Sequence, residues 1–123
     1  MARILVIDDE DDVRAVIRAI LESGGHEVQT ASDGADGVRK FQQQPFDLVL
    51  CDSVMPNKPG EEIVEEIRLL SGSMPIITMS GRPPEHDDDA SAARAVRHLA
   101  KPFRASTLLS VVAECLAARD RSD

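Results

Sequence analysis

Residues 46–52 read FDLVLCD, a short apolar run that ends at an aspartate. A continuous apolar run of this length is typical of a strand buried on both faces of a parallel sheet. Residues 3–7 and 75–79 have the same character. We therefore predict central strands over 3–7, 47–51 and 75–79, and more polar strands, at the sheet edges, over 26–30 and 97–100.

Amphipathic segments separate these runs. The first predicted helix ends at Gly24-Gly25, and its apolar face has residues spaced by three and four: Val13, Val16, Ile17, Ile20 and Leu21. Similar spacing predicts three more helices, marked by Val38 and Phe41, by Ile63, Ile67 and Leu70, and by Leu108, Val112, Cys115 and Leu116. The stretch 85–95 offers only alanine for burial, and we predict a loosely packed, mobile helix there.

Strands and helices thus alternate along the whole chain. This alternation predicts an α/β fold of three layers, a flavodoxin-like (βα)5 unit whose five-stranded parallel sheet has the order 2-1-3-4-5. A length of 123 residues suits a single domain over 1–123. We expect its core to span about 3–116, and the charged stretch 119–123 to be a frayed tail or the start of a linker.

Composition excludes several classes of function. The 14 basic and 22 acidic residues give a net charge of −8, which argues against direct nucleic-acid binding. An apolar run of about 20 residues, which a membrane span needs, is missing. The first nine residues turn acidic too early for a signal peptide. Cys51 and Cys115 match neither a zinc pattern nor a disulfide framework, so we predict unpaired thiols in a cytoplasmic protein.

Polar residues follow four of the five predicted strands. Asp8 and Asp9 follow the first strand, Asp52 the third, Ser80 the fourth and Lys101 the fifth. The carboxyl ends of parallel strands share one edge of the sheet, and ligands bind there where the strand order reverses. The sequence therefore predicts one shallow site that contains three carboxylates, a hydroxyl and an ammonium group.

These residue types suit phosphoryl chemistry. Clustered carboxylates repel one another, and a hard divalent cation, Mg²⁺ or Mn²⁺, relieves the repulsion. Lys101 and Ser80 can neutralise and hydrogen-bond phosphoryl oxygens, and Asp52 can act as a nucleophile that forms an acyl phosphate. Each residue alone also fits a helix N-terminus or a turn. Their coincidence at the ends of the correct strands favours a site.

Over residues 3–116 the chain resembles a response regulator receiver domain, the phospho-acceptor half of two-component signalling. The matching motifs are ILVIDDE (4–10), FDLVLCDSVMP (46–56), Gly60, PIITMSG (75–81) and KPF (101–103). The resemblance implies that Asp52 accepts the phosphoryl group. It also implies that Asp9 and Asp52 bind Mg²⁺ directly, Asp8 through water, and the backbone carbonyl of Val54 as a further ligand.

The resemblance further implies that Ser80 and Lys101 contact the phosphoryl oxygens and that the Lys101-Pro102 peptide bond is cis. The donor would be a histidine kinase or a histidine phosphotransfer protein, and slow hydrolysis would remove the phosphoryl group. Phosphorylation would switch the surface made by the 85–95 helix, the fifth strand and the last helix. A downstream protein or output domain of unknown identity would read that surface.

Three positions depart from the family pattern. His98 stands where the family has Tyr or Phe, so it either fills a groove or forms, with Ser80, a switch that responds to protonation. Arg94-Ala95 replaces the usual Gly-Ala, and residues 82–89 replace the usual start of a helix. Pro83-Pro84 cannot continue a helix.

Three other functions are weighed against the receiver. A Mg²⁺-dependent phosphatase or phosphotransferase with an aspartyl nucleophile would need a cap to enclose its substrate, and we expect no external substrate to be turned over. A phosphate-independent interaction module would not need the full set of site residues. Flavin binding would need aromatic stacking partners, and the chain has neither Trp nor Tyr.

Overall fold

The computed structural model describes residues 2–55, 59–81 and 96–121. The strands are β1 (Arg3–Ile7), β2 (Glu27–Ala31), β3 (Leu48–Asp52), β4 (Ile76–Ser80) and β5 (Val96–Ala100). The helices are α1 (Asp11–Ser23), α2 (Gly34–Gln43), α3 (Gly60–Leu70) and α4 (Ala105–Arg121). The helix predicted over 85–95 lies outside the described residues, as do the departures from the family pattern at 82–89 and 94–95.

The five strands form one parallel sheet in the order β2-β1-β3-β4-β5. This order confirms the predicted flavodoxin-like topology. β2 and β5, which have the more polar sequences, are the edge strands as expected. The strand order reverses between β1 and β3, so the carboxyl ends of these two strands flank the crevice in which such folds bind ligands.

Two central strands extend one residue beyond the predicted apolar runs. β3 includes Asp52, which lies opposite Met79, and β4 includes Ser80, which lies opposite Ala100. The backbone ladder does not depend on side-chain polarity, so pairing continues past the last apolar residue. As a result, the sheet itself holds the Asp52 and Ser80 backbones.

Alternate side chains of the sheet enter two separate cores, as the period of two in a strand requires. One core packs against α1 and α4, and its strand residues are Ile4, Val6, Val28, Leu48, Leu50, Ile77, Met79 and Leu99. The other packs against α2 and α3, and its strand residues are Leu5, Ile7, Ala31, Val49, Cys51 and Ile76. These two cores confirm the three-layer architecture.

The structure differs from the sequence prediction on two helix faces. Val16 and Leu70 are predicted to be buried, but they are 58% and 48% exposed. In α1 the buried stripe is centred on Ile17 and Leu21, which are four residues apart. Val16 precedes Ile17 by one residue and so lies about 100° around the helix from it. Leu70 is the last residue of α3.

The last helix continues to Arg121, into the stretch 119–123 that the sequence predicts to be frayed. Arg119 explains the extension, because its Nη1 donates to Asp47 Oδ1 at 2.7 Å and to the Asp47 carbonyl at 3.3 Å. Asp47 also accepts a hydrogen bond from the Arg3 backbone N–H at 2.8 Å. This network attaches the end of α4 to the amino edge of the sheet.

Cys51 and Cys115 lie in different cores, on opposite sides of the sheet, and both are free and buried. The prediction of unpaired cysteines is confirmed. Among the described residues, we find no helix that combines the length and the apolar character needed to cross a membrane.

Candidate functional site

The carboxyl ends of β1 and β3 bring four acidic residues together. Asp8, Asp9, Glu10 and Asp52 can each present one carboxylate oxygen such that these atoms all lie within 4.8 Å of one another. Asp8 is completely buried and Asp52 is 5% exposed, whereas Asp9 and Glu10 are exposed. The structure thus gathers the three predicted carboxylates and adds Glu10, which sequence reasoning missed although it directly follows the acidic pair.

Lys101 reaches this cluster from the end of β5. Its Nζ lies 3.0 Å from Asp8 Oδ2 and 3.5 Å from Asp52 Oδ2. Burial alone would lower the pKa of this ammonium group, but the hydrogen bond and charge of Asp8, with the charge of Asp52, raise it above its usual value. The lysine therefore stays protonated beside the carboxylates. The Lys101-Pro102 peptide bond is cis, as the resemblance implies.

Asp52 is the last residue of β3 and lies at the centre of the site. Burial, as the largest influence, raises the pKa of its carboxyl, while Lys101 and a hydrogen bond from the Val54 backbone N–H at 3.3 Å oppose the rise. The charges of Asp8 and Asp9 add to it. Keeping the Asp52 carboxyl ionised in this environment therefore costs free energy, and a bound cation would reduce that cost.

Gly60 lets the first turn of α3 approach the Asp52 loop closely. A Cβ atom at this position would lie 2.6 Å from Ser53 Cα and 2.7 Å from the Asp52 carbonyl oxygen. The Gly60 N–H donates to the Ser53 carbonyl at 3.2 Å. Ser53 is held from the other side as well, because its N–H and Oγ donate to the Met79 carbonyl at 2.8 and 2.9 Å.

Arg14 provides a second cation at the edge of the cluster, and nothing in the sequence pattern marks it. Its Nη1 donates to the backbone carbonyl of Asp8 at 2.6 Å, and its Nη2 pairs with Asp11 one turn earlier in α1. The side chain is 16% exposed. Arg14 therefore fixes the backbone from which Asp8 and Asp9 project.

Ser80 is connected to the neighbouring strand through His98. His98 Nε2 lies 3.1 Å from Ser80 Oγ, and Nδ1 lies 3.1 Å from Thr78 Oγ1. The imidazole is partly buried. Through these two contacts it bridges, from β5, two hydroxyls of β4. Sequence reasoning named Ser80 and His98 but missed Thr78. The parallel register of β4 and β5 places Thr78 opposite His98, and knowledge of that register would have revealed it.

The sequence model of the response regulator receiver domain matches residues 4–113. The chain is 30% identical to the response regulator receiver protein CpdR of Brucella abortus, with 96% of this chain and 99% of that protein covered. It is 33% identical to the protein PilH of Pseudomonas aeruginosa, with 95% and 99% covered.

A solved structure agrees with these sequence matches. The chemotaxis protein CheY4 of Vibrio cholerae superposes with a TM-score of 0.86 at 30% identity, and the match covers 94% of this chain and 98% of that one.

Proposed function

The chain belongs to the response regulator receiver domain family, and from this premise we propose that Asp52 accepts a phosphoryl group and that its phosphorylation switches a protein-binding surface. Response regulators interact with histidine kinases and output domains. We propose a histidine kinase or histidine phosphotransfer protein as the donor. The observation that carries the proposal is the position of Asp52, at the end of β3 within the acidic cluster and 3.5 Å from Lys101 Nζ.

The acidic cluster fits a magnesium ion, because its donors are all carboxylate oxygens within 4.8 Å of one another. Receiver domains generally bind Mg²⁺. In this chain Asp9 and Asp52 would hold the ion directly and Asp8 through water, with the Val54 carbonyl as a further ligand. The Val54 side chain is 75% exposed, so a backbone role places no demand on it. Mg²⁺, or Mn²⁺ in its place, supplies charge neutralisation for the phosphoryl oxygens when bound.

The hydrogen bonds of Asp8 support its indirect role. Its Oδ1 accepts from the Glu10 N–H at 2.8 Å, and its Oδ2 accepts from Lys101 Nζ at 3.0 Å. Both oxygens therefore have protein partners. We expect Asp9→Asn to weaken Mg²⁺ binding more than Asp8→Asn does in an NMR titration. Equal losses, or a larger loss for Asp8→Asn, would contradict this ranking.

The residues of the chain have distinct roles in phosphoryl transfer. An Asp52 carboxylate oxygen forms the new P–O bond while the P–N bond of the phosphohistidine donor breaks, and the electron pair leaves with the imidazole. The Lys101 ammonium group neutralises the transferred oxygens, and the Ser80 hydroxyl donates a hydrogen bond to one of them. Hydrolysis by water later restores the Asp52 carboxylate and releases inorganic phosphate. Asp52 is thus a stoichiometric acceptor, and receiver domains are not enzymes in the usual sense.

The switched surface would comprise β5, α4 and the segment 85–95, of which the last lies outside the described residues. Support for β5 comes from His98, which touches Ser80 at 3.1 Å and so connects the phosphoryl site to this strand. We further propose that residues 1–123 act as one receiver domain.

Intact-mass measurement tests the acceptor role. The protein is incubated with acetyl phosphate and Mg²⁺, and we expect the mass of one added phosphoryl group. Asp52→Asn should abolish the addition, and chelation of Mg²⁺ should suppress it. Addition of the same mass to Asp52→Asn would show that another residue is the acceptor.

A further inference from the structure

Thr78, His98 and Ser80 form a continuous chain of hydrogen bonds across β4 and β5. The Thr78 hydroxyl donates to the Arg97 backbone carbonyl, with an Oγ1–O distance of 3.3 Å. The same oxygen lies 3.1 Å from His98 Nδ1, and Ser80 Oγ lies 3.1 Å from His98 Nε2. Both ring nitrogens of His98 are therefore engaged by hydroxyl groups.

The direction of each bond follows from the number of hydrogens. A threonine hydroxyl has one hydrogen, and the geometry assigns that of Thr78 to the Arg97 carbonyl, at an Oγ1–O distance of 3.3 Å. Thr78 Oγ1 must then accept from His98, so Nδ1 carries the hydrogen. A neutral imidazole has one N–H, which leaves Nε2 as an acceptor. Ser80 must donate its hydroxyl hydrogen to His98.

We propose that His98 is a positioning residue for Ser80 and that it makes phosphoryl binding at Asp52 depend on pH. This proposal rests on the proposed function, which needs the Ser80 hydroxyl as a donor to a phosphoryl oxygen. With His98 neutral, the single hydrogen of Ser80 is held on the side of the imidazole. The phosphoryl group can gain that donor only if the bond to Nε2 breaks.

Protonation of His98 reverses this bond. An imidazolium takes its proton from solvent and has two N–H donors. Nδ1 still donates to Thr78, whereas Nε2 now donates to Ser80 Oγ. Ser80 Oγ then accepts from His98 and no longer donates to it, so its hydroxyl can donate to a phosphoryl oxygen, and the imidazolium places a positive charge beside Ser80. Uptake of the proton and binding of the phosphoryl group therefore favour each other, and the coupling is reciprocal.

The charged groups around His98 do not replace it in this role. On its own strand, Arg97 pairs with Glu114 of α4 at 3.2 Å. Just beyond the strand, Lys101 is engaged by Asp8 and Asp52. From β4, the described partners of the ring are the two hydroxyls. Residues 82–95, between β4 and β5, lie outside the described residues, and their charged or titratable groups are Arg82, Glu85, His86, Asp87, Asp88, Asp89 and Arg94.

Imidazole NMR tests the proposal, with His26 as an internal reference. His26 Nδ1 accepts a hydrogen bond from the Ala2 N–H at 3.2 Å, so the neutral ring of His26 carries its hydrogen on Nε2. Long-range ¹H–¹⁵N spectra distinguish the two neutral tautomers. In a His86→Gln background we expect the Nδ1–H form for His98 and the Nε2–H form for His26. An Nε2–H form for His98 would overturn the proposal.

The coupling is measured by adding beryllofluoride, a phosphoryl mimic, with Mg²⁺. The midpoint of the His98 titration should move to higher pH by about one unit, equivalent to a tenfold coupling, while that of His26 stays in place. In the wild-type chain the beryllofluoride affinity should rise as the pH falls from about 8 to about 6. In His98→Gln, which takes up no proton, the part of this rise that is due to His98 should be absent. Thr78→Val should weaken the Nδ1–H preference and reduce the coupling.

Two results would count against His98 acting in this way. A titration midpoint that does not move on beryllofluoride binding would overturn the proposal. So would a pH dependence that survives in His98→Gln but disappears when Asp87, Asp88 and Asp89 are replaced by Asn. Failure of the proposed function is distinguishable, because beryllofluoride would then bind neither the wild-type chain nor His98→Gln, while the tautomer of the free protein would still be readable.

Discussion

Replacement of Lys101 by Met should destabilise the protein in the absence of a divalent cation. The change keeps an unbranched side chain, one heavy atom shorter, and removes its charge. In the wild-type chain the ammonium group lies 3.0 Å from Asp8, which is completely buried, and 3.5 Å from Asp52. Lys101→Met therefore leaves two carboxylates close together without their partner.

The size of the effect follows from burial. Loss of one partner from a buried ion pair costs about 3–5 kcal/mol, because the other charge stays desolvated. The Lys101 side chain is 19% exposed, so solvent screens part of the interaction. We expect a loss at the low end of this range, about 3 kcal/mol. This is a large share of the roughly 5–15 kcal/mol by which a domain is stable.

Urea denaturation with EDTA measures this loss, and Arg18→Met is the matched control. Arg18 pairs with Glu22 at 3.1 Å, but both side chains are about half exposed. Removal of such an exposed pair costs about 0–1 kcal/mol. Added Mg²⁺ should restore part of the stability of Lys101→Met, because a cation in the acidic cluster again offsets the carboxylates. If Lys101→Met loses no more stability than Arg18→Met, the electrostatic account of the site is wrong.

Three further predictions concern residues around Asp52. Gly60→Ala should cost about 1–3 kcal/mol in thermal denaturation, because the new Cβ would press on the Ser53 backbone. Gly72→Ala is the control and should be nearly neutral, because its Cβ would lie 4.0 Å from the Arg68 carbonyl oxygen. Burial raises the folded-state pKa of Asp52, so its contribution to stability is present below the unfolded pKa and is lost as pH rises. Asp52→Asn should therefore stabilise the metal-free protein at neutral pH, with a gain that vanishes below the usual aspartate pKa of about 3.9; a constant gain across pH would argue against burial as the cause. Burial raises the pKa of Cys51 to about 12, so iodoacetamide at mildly alkaline pH should modify this thiol only after denaturation, and rapid modification of the folded chain would contradict its buried position.

The sheet could be predicted from sequence because burial on both faces leaves an unambiguous signal. The runs ending at Ile7 and Cys51 are continuous and apolar, and the parallel connection rules leave few topologies. Strand order then predicts which polar residues meet. The convergence of Asp8, Asp9, Asp52 and Lys101 needed no more than this rule.

The contacts that sequence reasoning missed depend on register and on side-chain direction. Thr78 looks like an ordinary strand residue until the ladder places it opposite His98. Arg14 has the spacing of a surface residue of α1, yet its guanidinium turns back to the Asp8 carbonyl. Val16 shows the opposite error, because it fits the apolar repeat of α1 but lies beside the buried stripe and is exposed. A periodic pattern defines a face to within about one residue, and long side chains reach further than that.

The role of Asp52 as the phosphoryl acceptor is tested most directly by chemical trapping. After incubation with acetyl phosphate and Mg²⁺, borohydride reduces an aspartyl phosphate to homoserine, and peptide mass mapping locates that residue. Homoserine at position 52, with Asp8 and Asp9 recovered intact, is the predicted result. Homoserine at position 8 or 9, or none at position 52 in a sample whose intact mass shows the added phosphoryl group, would contradict it.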